Sequence, residues 1–319
     1  MREHYPQNFT LKVKSNIAVA GTTLSGFCTG PLDAGASLYF IGTECTKVVY
    51  TSSSSGSIGY PRESYSTANI VRSFIRLDNS RLSSVASFEF HIPDQLPSSF
   101  FHKDGNGSYC CVSYDLQLQL GREVVEVIPI QILSKPSCNL TPLSYVEDRV
   151  RRRIMLGYCI PKGSIETSVK VDNTRLSTGE TIRIFVELVN NSSVEIKWIS
   201  CQLLEQIDWH SCEHYTSDIK IVASQKISGL TGMKCNTMTK QAKVNAICSS
   251  SSDCKSINSI ISFEAILRVP DYTLHTSTGV NYEIKHNLSI VARTKCGLTN
   301  VNIRVPAQIT SPRKNNLIR

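Results

Sequence analysis

The sequence predicts an all-β protein built as two consecutive β-sandwiches, and three observations carry that reading. The dominant hydrophobic period is two, helical periodicity is nearly absent, and clusters of turn-forming residues separate the alternating runs. Alternation puts apolar side chains on one face of a strand and polar ones on the other, as a half-buried strand requires. Many short strands with regular turns make a sandwich. The 319 residues suffice for about two domains, and 41% apolar residues can fill two cores. Charged residues make up 19%, below the roughly 25% of ordinary soluble domains. That composition argues against disorder and coiled coil.

Each element follows from its own pattern. Residues 9–14 (Phe-Thr-Leu-Lys-Val-Lys) alternate cleanly, as do residues 87–92 (Ser-Phe-Glu-Phe-His-Ile). Residues 37–41 read as a more buried strand. Residues 114–120 (Tyr-Asp-Leu-Gln-Leu-Gln-Leu) keep the pattern throughout, and residues 181–188 keep it with one lapse at Phe185 and Val186. Turns are expected at residues 78–80, 104–107 and 177–180, where Asp, Asn, Ser and Gly cluster. The best short helix candidate is 142–155. The first sandwich is expected over residues 1–135, a basic linker over 136–153, the second sandwich over 154–310 and a short tail over 311–319. Residues 51–59 and 229–257 are poor in large apolar side chains and read as loops.

No stretch approaches the roughly 18 apolar residues of a spanning helix. Residues 1–6 have no apolar core, so no signal peptide is read there and a cytosolic location is expected. The 12 cysteines are then expected as mostly reduced thiols. A disulfide framework is the alternative that the even count permits. Cys110 and Cys111 should point to opposite faces of a strand, and Cys248 and Cys254 lie in a Ser-rich loop.

Catalysis finds little support. There is no Gly-x-Ser-x-Gly elbow and no phosphate-binding Gly-rich loop, and the acidic residues are scattered rather than paired. No enzyme, no catalytic residue and no cofactor is expected. His210, Cys212 and His214 form the best metal candidate, because alternate residues share one strand face. A closed zinc site needs a fourth ligand that the neighbourhood does not supply, so the plain reading is a strand end after Trp209.

Lys and Arg number 34 against 26 Asp and Glu, a net charge of +8, which admits an anionic partner without identifying one. Arg149, Arg151, Arg152 and Arg153 are the densest cluster, and guanidinium groups grip phosphates bidentately. Lys12 and Lys14 share the polar face of the first strand. These six residues are the candidate contacts to phosphate or to lipid headgroups. The alternative is a solvated stretch whose arginines pair with neighbouring acids such as Glu147 and Asp148. Nucleic acid is not expected as a partner, since stacking aromatics are not interleaved with the basic residues.

The motifs together resemble a known family. Residues 88–93 (Phe-Glu-Phe-His-Ile-Pro) run into Leu96-Pro97-Ser98-Ser99-Phe100, then Gly105, Gly107 and the strand from Tyr109 to Leu116. This order is similar to the arrestin N-domain signature, with Tyr-x-x-Val where the family has Tyr-x-Val. Residues 41–50 and Gly21 to Gly26 resemble early runs of alpha-arrestins. Residues 177–184 (Ser-Thr-Gly-Glu-Thr-Ile-Arg-Ile) followed by residues 189–193 resemble the opening of the arrestin C-domain. Leu267-Arg268-Val269-Pro270 and Val305-Pro306-Ala307-Gln308-Ile309 are similar to its late strands.

The resemblance implies two arrestin-like β-sandwich domains and an alpha-arrestin type of adaptor. Such an adaptor binds cytosolic parts of membrane proteins and supports endocytosis, ubiquitin-linked sorting or endosomal trafficking. It would be cytoplasmic and peripheral at the plasma membrane or endosomes; the basic stretch over 149–153, rather than the resemblance, adds an anionic membrane surface as a further expected contact. Alpha-arrestins recruit ubiquitin ligases through Pro-Pro-x-Tyr motifs, and this sequence contains none. Two alternatives are a retromer-like coat or scaffold subunit and a thiol- or metal-dependent redox partner using Cys212, Cys248 or Cys254.

Overall fold

A computed structural model describes residues 9–30, 36–52, 59–77, 85–135, 146–156, 160–228, 259–295 and 300–310. Among these residues every regular element is a strand. Two compact units result. Unit 1 comprises Met1–Pro136, Ile207–Asp218 and Ser277–Glu283, and unit 2 comprises Ser137–Gln206, Ile219–Thr276 and Ile284–Arg319.

The first nine strands are β1 (Thr10–Val13), β2 (Ile17–Val19), β3 (Thr23–Thr29), β4 (Ala36–Ser52), β5 (Tyr60–Arg76), β6 (Val85–His91), β7 (Phe100–Lys103), β8 (Tyr109–Leu120) and β9 (Glu123–Leu133). One sheet has the order β1-β3-β6, the other β2-β9-β8-β4-β5 with β7 beside β8. Inward residues alternate along each strand. Leu38 and Phe40 of β4 and Tyr114, Leu116 and Leu118 of β8 are sealed from water. The rings of Phe40 and Tyr114 stack at 5.8 Å, and the Tyr114 hydroxyl donates to the Pro97 carbonyl at 2.8 Å. Each such large side chain contributes about 1.5–3 kcal/mol on burial.

The later strands are β10 (Val146–Leu156), β11 (Ile160–Val171), β12 (Arg175–Ser177), β13 (Thr181–Ser192), β14 (Ile196–Ser211), β15 (His214–Ser228), β16 (Ser259–Arg268), β17 (Ser277–Thr278), β18 (Tyr282–Thr294) and β19 (Asn300–Thr310). Their sheets have the orders β10-β11-β13-β16 and β12-β19-β18-β14-β15, with β17 beside β18. The core of unit 2 includes Ile165, Val169, Ile182, Ile184, Leu203, Leu288 and Ile303. The strand order of the second half repeats that of the first, with one added edge strand, β10. In each half a short strand pairs parallel to the last strand: β2 with β9 and β12 with β19.

The turns follow the expected chemistry. Asp104 accepts the Asn106 and Ser108 N–H groups at 2.9 and 2.8 Å, and Gly107 takes φ 89°. Gly179 takes φ 83° while Glu180 accepts the Ser177 N–H at 2.8 Å. The expected turns at 78–80 and the loop of residues 229–257 with Cys248 and Cys254 lie outside the described residues, as do most of 51–59 and the short tail.

The helix expected over 142–155 is corrected. Its described part is β10, paired antiparallel with β11 from Val146↔Val171 to Leu156↔Ile160. Val146, Val150 and Ile154 face the core of unit 2. A spacing of four fits one face of a helix and equally every second inward position of a strand, so the apolar pattern could not separate the two. The arginines between them are strand residues rather than part of a polar linker.

Candidate functional site

In unit 1 the most unusual feature is a carboxylate inside a strand. Along β4 the inward positions are Leu38, Phe40, Gly42, Glu44, Thr46 and Val48. Glu44 is 1% exposed. Its oxygens accept the backbone N–H groups of Val280 and Asn281 at 2.9 and 2.5 Å. The turn that offers them is closed by Gly279 N–H to Tyr282 C=O at 2.9 Å. A Cβ on Gly279 would overlap both the Glu44 carboxylate and the Tyr282 ring, so glycine is required there by space. Thr46 and Lys47 continue the contact: Thr46 Oγ1 donates to the His210 carbonyl at 2.8 Å, and Trp209 Nε1 donates to the Lys47 carbonyl at 3.2 Å. The Tyr50 and His214 rings stack at 3.5 Å, and His102 meets Asp218 at 3.0 Å. Segments 207–218 and 277–283 are therefore held in unit 1 by backbone hydrogen bonds to a buried acid and by aromatic packing.

In unit 2 a second buried carboxylate, Glu205 of β14, is 0% exposed. The Lys220 ammonium lies 2.6 Å from its Oε1. Its Oε2 accepts the Leu274 N–H at 2.9 Å and faces His286 Nε2 at 3.4 Å. His286 Nδ1 meets Thr276 Oγ1 at 2.9 Å, and the Ile309 N–H donates to the same oxygen at 2.8 Å. Burial alone would raise the Glu205 carboxyl, but hydrogen bonds from His286 and Lys220, the Lys220 charge and the Leu274 N–H outweigh it and hold it below the usual range. His275 is lowered by burial and by the charge of His286.

The six basic candidates do not act as one group. Lys12 and Lys14 lie exposed at edge strand β1, with Lys12 opposite Phe27 of β3. Arg149, Arg151 and Arg153 share the outer face of edge strand β10, and Arg152 points to the other face. Arg149 Nε bonds Glu166 Oε1 at 2.5 Å, and Arg151 Nε reaches Ser164 Oγ at 3.4 Å. Lys170 and Glu147 pair at 3.7 Å on the same face. The arginine row is thus partly neutralised by β11, and Arg153 is its exposed end.

The metal candidate is broken by a turn. His210 is the penultimate residue of β14, His214 opens β15, and Cys212 stands in the two-residue loop between the strands with φ 53°. A single strand face shared by all three does not exist. Among the described residues no group of three or more His, Cys, Asp or Glu is placed to hold a metal ion. Cys110 is sealed in the core and Cys111 is on the opposite face, as alternation requires.

Glu44, Glu205 and His286 were not singled out by sequence reasoning. Strand parity is the signal that could have found them: Glu205 falls between Leu203 and Ile207, and His286 between Ile284 and Leu288, all inward positions.

Residues 161–314 match the family model of the arrestin (or S-antigen) C-terminal domain. This part of the chain is an arrestin C-terminal domain. Among curated proteins none matches it. The match covers β12 to β19, so the Glu205 network lies wholly within the arrestin C-terminal domain. Arrestins are non-enzymatic adaptors that in general bind cytosolic parts of membrane proteins. No helix among the described residues is long and apolar enough to cross a membrane.

Proposed function

We infer that this chain is an adaptor of the alpha-arrestin type, which docks on cytosolic parts of membrane-protein cargo and supports its endocytosis, ubiquitin-linked sorting or endosomal trafficking. The observation that carries this reading is the arrestin C-terminal domain over residues 161–314. The chain works in the cytoplasm, peripheral at the plasma membrane or endosomes. Cargo is met by exposed strand faces, and long edge strands such as β5 offer backbone groups for pairing. Ligase recruitment proceeds without a Pro-Pro-x-Tyr motif in this sequence, through another surface or a linking partner.

The outer face of β10 is the contact for an anionic leaflet or a phosphorylated tail, with Arg153 and Arg151 leading and Lys12 and Lys14 as a separate basic point. Such contact is strongly salt-dependent. Proximity labelling of the full chain in cells, followed by capture from solubilised membranes, tests the adaptor reading. Enrichment of integral membrane proteins is expected, and recovery of none overturns it. A stable stoichiometric complex with soluble subunits on native purification would instead point to a coat or scaffold role.

A further inference from the structure

We propose that Cys45 of β4 and Cys111 of β8 are a reversible disulfide site on the outer face of the unit 1 sheet. The two residues are direct cross-strand partners in the antiparallel register. Antiparallel partners have Cα atoms about 4.5–5.5 Å apart, inside the roughly 4.4–6.8 Å range that a disulfide spans without moving the backbone. Both side chains are partly exposed, and both are free thiols. Thr67 Oγ1 meets Cys45 Sγ at 3.9 Å from β5.

The neighbouring thiols are excluded by position. Cys110 is next in sequence but points into the core with no exposed surface, and Cys28 and Cys201 are buried. Cys212 is exposed in the β14–β15 turn, and among the described residues no other free cysteine shares that turn. Burial first, and the adjacent Cys45 second, push the Cys111 thiol up to about 11, so Cys111 keeps its proton until late in the reaction.

The oxidant is a low-molecular-weight disulfide such as oxidised glutathione. The Cys45 thiolate attacks one glutathione sulfur, and the other glutathione leaves with the electron pair. Cys111 then attacks Cys45 Sγ in the mixed disulfide and releases the second glutathione thiolate. The two protons from the cysteines end on the two glutathiones, so two thiols are oxidised and one disulfide is reduced. The product joins two strands across a long loop that contains β5, β6 and β7, and it shifts the stability of unit 1. Phe101, directly opposite Cys111 on β7 and 65% exposed, shares the outer surface that the link would stiffen.

The test equilibrates the full chain in glutathione buffers from fully reduced to fully oxidised, quenches with an alkylating reagent and maps cysteines by mass spectrometry. The expected result is one linked peptide pair containing Cys45 and Cys111, which disappears on treatment with dithiothreitol. Its formation should raise the melting temperature by about 10 °C, and Cys45→Ser should abolish both effects. Full alkylation of both cysteines at the most oxidising ratio overturns the proposal, as does linkage of either to a different cysteine. The wild-type mapping decides the matter even if the serine variant folds poorly.

Discussion

Glu44 in unit 1 and Glu205 in unit 2 are both withdrawn from water, at 1% and 0% exposure, yet they are compensated by different chemistry. Glu44 has backbone amides: two N–H groups of one turn converge on it. Glu205 has an ammonium, an imidazole and one N–H. Both N–H groups belong to one turn, so Glu44 works as a geometric clamp on the 279–282 turn. The partners of Glu205 include titratable groups, which ties its stabilising effect to pH. A sandwich can therefore bury a carboxylate either to position a turn or to hold a charged network, and the partner set tells which.

The largest effect is expected where a buried charge partner is lost. Glu205→Ala leaves His286 and the Leu274 N–H facing a void and releases Lys220. Breaking a buried pair from one side costs about 3–5 kcal/mol. Thermal and urea unfolding should show that loss. A loss under about 1 kcal/mol would mean that water replaces the carboxylate and that the network is not a true buried one. Glu44→Ala comes next. It leaves two N–H groups without their acceptor, at about 1–3 kcal/mol each for a group that stays buried, less where solvent reaches the amide. Hydrogen exchange at Val280 and Asn281 reads this directly: both amides should exchange faster in the variant, and unchanged protection would contradict the clamp.

Gly279→Ala sharpens the comparison from the other side, because it leaves both carboxylates in place. The added methyl overlaps Glu44 and the Tyr282 ring, and overpacking of this kind costs about 1–3 kcal/mol. The variant should loosen the same two amides as Glu44→Ala, while the amide of Leu274 keeps its protection. Loss of protection at Leu274 would show that the two acids are not independent.

The strands were legible because alternation survives in β1, β6, β8 and β13, where polar outward and apolar inward residues trade places without interruption. The two acids were not legible for a reason rooted in the same rule. Reading β4 as ending at Ile41 leaves Glu44 in a connection, whereas the strand continues to Ser52 and parity turns residue 44 inward. A polar residue at an inward position looks like the end of the strand until its partners are known, and those partners are 236 and 237 positions away in the chain. The arginine row of β10 failed differently. Its apolar spacing of four is common to helix and strand, and the acid that neutralises Arg149 is Glu166 on β11 rather than its sequence neighbours Glu147 and Asp148.

The smallest expected effect is the most specific, and it concerns the pH response of the Glu205 network. His275 is lowered from the ordinary histidine value by burial and by the charge of His286, so the folded chain binds that proton less readily than the unfolded one. Its stabilising contribution is complete above about pH 6.5 and is lost as pH falls from there through the lower folded value. Glu205 has the same sign in a lower window. Its carboxyl is held below the usual range, so its contribution is present above about pH 4.3 and is lost as pH falls through the folded value. The melting temperature should therefore decline in two stages on acidification. His275→Gln should remove the upper stage and leave the lower one, and Glu205→Gln should remove the lower one. An upper stage that persists in His275→Gln would assign it to another histidine.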